Sequence, residues 1–110
     1  MDGTDAAETM RARLQGDLRK AMKARAAQEV AVLRALITLI DNAGAVPLPE
    51  AAARQTEVER RRLTSAEVQA LLVRERDVRQ ASAAEFDRLA LASEAERARA
   101  EIAVIDRYAG

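Results

Sequence analysis

The chain has 110 residues, enough for one domain, and its 18 Lys and Arg balance 18 Asp and Glu, so the whole carries no basic excess to draw it onto nucleic acid. It contains no Cys, His or Trp, which excludes disulfides, Cys-based metal sites and thiol catalysis. Hydrophobic residues make up 49%, yet Phe86 and Tyr108 are the sole aromatics. The core must therefore come from Leu, Ile, Val, Met and Ala, side chains suited to close helix packing.

The first helix is expected over about residues 4–24. Thr4 or Asp5 can cap it, and Asp5 and Glu8 complement the positive end of its dipole. Met10, Leu14, Leu18, Ala21 and Met22 recur at three- and four-residue spacing and form one apolar stripe. Lys20, Lys23 and Arg25 place cations at its negative end.

A second helix is expected over residues 28–43. Val30, Val32, Leu33, Leu36, Ile37, Leu39 and Ile40 leave it few polar faces, which predicts a central helix covered on most sides. Gly44 supplies a stop, as a left-handed C-cap. A loop follows over residues 44–63, punctuated by Pro47 and Pro49, with a short helical turn at residues 50–53. Loops of that length are often functional or disordered.

The third helix has the clearest start in the chain. Thr64-Ser65-Ala66-Glu67 is a capping box, and Leu63 and Val68 occupy the positions of a hydrophobic staple. Val68, Leu71, Leu72, Val78, Phe86 and Leu89 carry its stripe to about residue 90, a length of roughly 40 Å. Ser93-Glu94-Ala95-Glu96 repeats the box and opens a fourth helix, whose apolar face is Ala95, Ala98, Ile102, Ile105 and Tyr108. The short connection predicts an antiparallel hairpin of the third and fourth helices. The fold expected is an all-α, compact bundle of four helices around a central second helix.

Three features bear on function. Arg34 interrupts the most apolar helix; a buried guanidinium needs a carboxylate or a route to water. Asp17, Asp41 and Glu101 are its candidate partners, and an ion-pair clamp competes with phosphate binding as its role. Glu75 and Arg79 are one turn apart on the third helix. They read either as an ordinary exposed pair or, with Ser82, as a polar patch inside the helix seam. Finally, Lys20/Lys23/Arg25, Arg60/Arg61/Arg62 and Arg74/Arg76/Arg79 are three basic groups that would make an electrostatic stripe if aligned. Interleaved acids and the scarcity of aromatics for base stacking weigh for plain solvated faces.

No catalytic residue set, metal-ligand pattern or cofactor cradle is assembled anywhere along the chain. No cofactor is expected, and an enzyme is the less favoured reading. With no apolar run long enough to span a bilayer and no signal core at the N-terminus, a cytoplasmic protein with no membrane contact is expected.

Several blocks together resemble one family. The run from Leu14 through Asp17, Lys20, Met22, Lys23 and Arg25, then Val32-Leu33-Arg34 and Asn42-Ala43, resembles the N-terminal region of the GatB/YqeY family. Leu63-Thr64, Glu67-Val68, Arg74, Arg79, Ser82 and Phe86 are similar to that family's third helix, and Glu101-Ile102 to Tyr108 to the helix that closes its first domain. The family includes YqeY-like proteins and the GatB component of the aspartyl/glutamyl-tRNA amidotransferase. It is labelled with carbon–nitrogen ligase activity using glutamine as amido donor. The resemblance implies one helical domain over residues 1–110. The second family domain, which usually follows a Tyr-Leu-Pro, is expected to be absent, because Ala109-Gly110 follows Tyr108 here. The loop is longer and more charged than in the family, and the third helix richer in arginine.

The function implied is a noncatalytic helical module that binds tRNA or an amidotransferase or synthetase protein, with Lys20, Lys23, Arg34, Arg74 and Arg79 as contact residues. The alternative is a protein-interaction or dimerising module with no nucleic-acid role.

Overall fold

The computed structural model describes residues 5–44 and 62–110. The expected loop lies outside the described residues save for its ends, and the short turn at residues 50–53 lies outside them entirely. The described residues form four helices and no strand: α1 (Ala6–Lys23), α2 (Ala27–Gly44), α3 (Ser65–Arg88) and α4 (Ala92–Asp106).

Asp5 starts α1. One of its carboxylate oxygens accepts from the Ala7 amide at 2.9 Å and also from the Leu63 amide at 3.1 Å. A single side chain therefore caps α1 and holds the chain entering α3. Thr64 then forms the expected box: its hydroxyl accepts from the Glu67 amide at 3.1 Å, and Glu67 accepts from the Thr64 amide at 2.9 Å. Leu63 and Val68 are both buried beside it, as the staple requires.

Two left-handed turns close the two hairpins. After α1, the Ala26 amide reaches back to the Ala21 carbonyl at 3.0 Å and the Arg25 amide to Met22 at 3.1 Å. After α3, the Leu91 amide reaches Phe86 at 2.8 Å and the Ala90 amide reaches Asp87 at 3.0 Å. The left-handed residue is Arg25 in the first turn (φ 57°) and Ala90 in the second (φ 60°), where glycine is the usual occupant.

These turns correct two expectations. The box at Ser93–Glu96 does not form, because the turn through Ala90 starts α4 at Ala92 with Leu91 as a cap that offers no side-chain bond. Gly44 is not a left-handed cap; it is the buried last residue of α2, and no glycine among the described residues has positive φ.

The core is aliphatic. Leu14, Leu33, Leu36, Ile40, Leu72 and Ile105 are fully enclosed, each contributing roughly 1.5–3 kcal/mol through removal from water. The second helix packs against each of the other three, and so does α3. Residues 107–110 tie the end of α4 to this body. Tyr108 Oη donates to Asp17 at 2.6 Å, the Arg13 guanidinium lies 4.6 Å over its ring, and Gln69 donates to the Tyr108 carbonyl at 2.9 Å and accepts from the Gly110 amide at 2.8 Å.

Away from the body, the α3–α4 hairpin packs on itself. Ala83, Ala95 and Ala98 are buried between its helices but outside the main core, and their small size lets the two backbones approach closely. The described residues extend over 51 × 32 × 26 Å. Val78 and Leu89, placed on the α3 stripe by spacing, are exposed here. Met22 likewise leaves the α1 stripe and is exposed.

Candidate nucleic-acid interface

The last three turns of α1 bury Leu14 and Ala21 and turn Gly16, Arg19, Lys20 and Lys23 outward. That spacing is the face opposite the core on a 3.6-residue helix. Lys20 and Lys23 also complement the negative end of α1. The left-handed turn then presents Arg25, and α2 starts with Ala27, Ala31 and Arg34 on its outer side.

These residues line two adjoining shallow depressions. One is formed by Gly16, Arg19, Lys20, Met22 and Lys23; the other by Met22, Arg25, Ala27, Val30, Ala31 and Arg34. Met22 belongs to both and is 49% exposed. No carboxylate lines either depression. The side chains of Arg19, Lys20, Lys23, Arg25 and Arg34 make no ion pair or hydrogen bond among the described residues.

Arg34 thus corrects the ion-pair expectation. It is exposed on a stripe with Ala27, Ala31, Ala35 and Thr38, so α2 is not covered on most sides. Its three candidate partners are occupied elsewhere: Asp17 by Tyr108, Asp41 by Arg11 at 2.9 Å, and Glu101 by Arg79 at 3.3 Å.

Of the five residues nominated from sequence, Lys20, Lys23 and Arg34 come together around Met22. Arg74 is exposed on α3, lines neither depression and has no ionic partner among the described residues. Arg79 lies in the α3–α4 seam, held by Glu75 one turn before it and by Glu101 across the seam, with only 18% of its side chain exposed. The polar patch in the seam is present, with the Arg79 guanidinium between two carboxylates. Arg19 and Met22 are additions that the structure makes to the site; the 16/19/20/23 spacing opposite Leu14 and Ala21 is the sequence signal for the first.

Of the other basic groups, Arg76 pairs with Asp106 at 3.4 Å; Arg60 and Arg61 lie outside the described residues. Three further exposed cations are paired: Arg88 with Glu85, Arg99 with Asp87 at 3.0 Å, and Arg107 with Glu29 at 2.7 Å. The hydrogen bond from Arg107 to Glu29 raises the Arg107 pKa further. Burial, then the bond to Asp17, pushes the Tyr108 hydroxyl up to about 12, so it stays protonated at neutral pH and keeps its hydrogen bond to Asp17.

Among the described residues no group of three acidic side chains is placed to hold a metal ion, and no helix is long and apolar enough to cross a membrane. Fold and surface together define a small all-helical protein with an unpaired basic corner. No protein-family model, curated protein or solved structure matches the chain.

Proposed function

We propose that this protein is a noncatalytic, cytoplasmic helical module of the tRNA-dependent amidotransferase type, acting by binding tRNA through the α1–α2 corner. The observation that carries the reading is the cluster Arg19, Lys20, Lys23, Arg25 and Arg34, without ionic partners among the described residues and without a carboxylate in its lining. Such a cluster attracts a polyanion and releases its counterions. One of the blocks that resemble the GatB/YqeY family, Lys20-Ala21-Met22-Lys23-Ala24-Arg25, lies in the same corner. The ligase chemistry of that family's label belongs, on this reading, to a separate enzyme that the module accompanies.

Bulk tRNA titrated over a salt series tests it. Affinity should fall steeply with added salt, log K changing by about −0.7 to −0.9 per log unit for each phosphate contacted. Joint substitution Lys20→Glu, Lys23→Glu and Arg34→Glu should abolish binding, and Arg74→Glu should leave it nearly intact. No binding even at low ionic strength rejects the proposal. Glutamine-dependent amide formation by the purified protein would reject the noncatalytic part.

A second reading, a protein-interaction or dimerising module, is favoured by one observation: Val78, Leu89 and Leu91 are 55%, 49% and 42% exposed on the α3–α4 hairpin. Association that is insensitive to salt and lost in Leu89→Glu/Leu91→Glu would favour it over tRNA binding.

A further inference from the structure

The shape of the basic corner carries more than its charge. Arg19, Lys20 and Lys23 stand on the outer face of α1, Arg25 and Arg34 stand across the turn and on α2, and Met22 lies between the two sets because it lines both depressions. The floor beside it is Gly16, Ala27, Val30 and Ala31. The arrangement is a central apolar projection with cations on either flank.

That pattern sorts the forms of nucleic acid. An unpaired strand is held mainly by stacking its bases on aromatic faces. The corner has none: Phe86 is on the α3–α4 hairpin, and Tyr108 is 3% exposed beneath Arg13. A duplex instead offers two rows of phosphate on either side of a groove. The B-form minor groove, about 6 Å wide, is too narrow for a corner built from helices about 10 Å across. The A-form minor groove is wide and shallow, floored by ribose and base edges. An unbranched thioether can lie against that floor without demanding a particular base.

We infer that the α1–α2 corner recognises the A-form RNA duplex across its minor groove, with Met22 on the groove floor and the two sets of cations on opposite phosphate rows. This rests on the RNA-binding reading above and specifies the structural element of tRNA that is bound: a paired stem rather than a loop. Recognition is by shape, so unrelated duplex sequences bind alike.

The test uses the full chain and four probes: a blunt RNA duplex of about 16 base pairs, long enough to present two successive minor grooves, the DNA duplex of the same sequence, one RNA strand alone, and an RNA duplex of unrelated sequence. Fluorescence anisotropy at fixed low salt should show both RNA duplexes bound equally, and about tenfold tighter than DNA or single strand, a difference of about 1.4 kcal/mol. Met22→Lys separates shape from charge. An electrostatic patch alone gains affinity for every probe from the added cation; a groove contact loses its preference for duplex RNA, whereas Met22→Leu keeps it. Because Met22 is half exposed, neither change threatens folding, and circular dichroism of each variant checks that.

Equal binding of single strand and duplex, or of DNA and RNA duplexes, overturns this inference while leaving tRNA binding in place. So does a Met22→Lys variant that tightens on all probes and keeps its preference. Failure to bind any RNA removes both this inference and the reading beneath it.

Discussion

Arg25, between α1 and α2, and Ala90, between α3 and α4, occupy the same position in turns of the same hydrogen-bonding pattern, with φ of 57° and 60°. Their surroundings differ. Near Ala90 the cations are answered: Arg88 by Glu85 one turn earlier, Arg99 by Asp87 across the hairpin. Near Arg25 the cations Arg19, Lys20, Lys23 and Arg34 are unanswered among the described residues, and the depressions they line contain no acid. The turn itself does not require loose charge, since the second one closes with its ions matched. Dipole complementarity accounts for Lys20 and Lys23 near the α1 terminus, but not for Arg19 or for Arg34 on the next helix. Neither the turn nor the helix dipole accounts for the unpaired charge on Arg19 and Arg34.

The two hairpins also differ in what supports them, and core truncation should expose this with the largest effect. Leu36 is fully enclosed on α2, so Leu36→Ala should cost about 2–5 kcal/mol in chemical denaturation. Leu89 beside the second turn is 49% exposed, and Leu89→Ala should change stability by no more than about 0.5 kcal/mol. A cost near Leu89 of about 2 kcal/mol, the low end for a buried leucine, would mean that the far end of the α3–α4 hairpin shares the core after all.

Much of this fold is written locally. The box at Thr64 and Glu67, the staple of Leu63 and Val68, and the Leu14–Ala21 stripe all rest on neighbours within one or two turns, and each forms as its spacing predicts. Periodicity fails where it has to report on distant partners. Met22, Val78 and Leu89 lie on apolar stripes, but a stripe names a face and not whether another element covers it. Arg34 departs from expectation for a related reason: Ala27, Ala31 and Ala35 look apolar in the sequence yet cost little to expose, so the solvent side of α2 is hidden among alanines. The box at Ser93 and Glu96 is overruled by the turn through Ala90, which makes Leu91 the cap and starts the helix two residues too early for Ser93 to cap it. Of the candidate site, the run Lys20–Arg25 is visible in sequence. Its junction with Arg34 needs the α1–α2 hairpin, and the second carboxylate on Arg79, Glu101, comes from another helix.

The next effect down is at Asp5, which serves two chain segments at once. Asp5→Ala removes an N-cap and strands the Leu63 amide, and should cost about 2 kcal/mol. Thr64→Ala removes a cap alone and should cost about 1 kcal/mol. Equal losses for the two would show that the Asp5–Leu63 bond adds nothing. At the other end of the body, Tyr108 gives a pH signature. Its folded pKa, about 12, lies above the ordinary value of 10.0. The unfolded chain therefore loses this proton first as pH rises. The stabilising effect is complete below about pH 10 and is lost between about pH 10 and 12. Comparing wild type with Tyr108→Phe across that window isolates it; the variant should be less stable at neutral pH and should fall less steeply with alkali.

The smallest effect returns to the two turns and separates them most directly. A left-handed non-glycine residue is strained, and glycine relieves this at some cost in unfolded-chain entropy, leaving a net gain of about 0.5–1 kcal/mol. Ala90→Gly and Arg25→Gly should therefore each stabilise the protein by that amount. Their effects on tRNA should diverge. Ala90→Gly should leave the salt dependence untouched. Arg25→Gly should reduce the slope of log K against log salt by about 0.7–0.9, the contribution of one phosphate contact, even as it raises the melting temperature. A variant that is more stable and yet binds less well would place Arg25 on the nucleic acid, because loss of structure cannot explain it. If Arg25→Gly stabilises and binds with an unchanged slope, Arg25 is a residue of the turn only, and the contact surface contracts to Arg19, Lys20, Lys23 and Arg34.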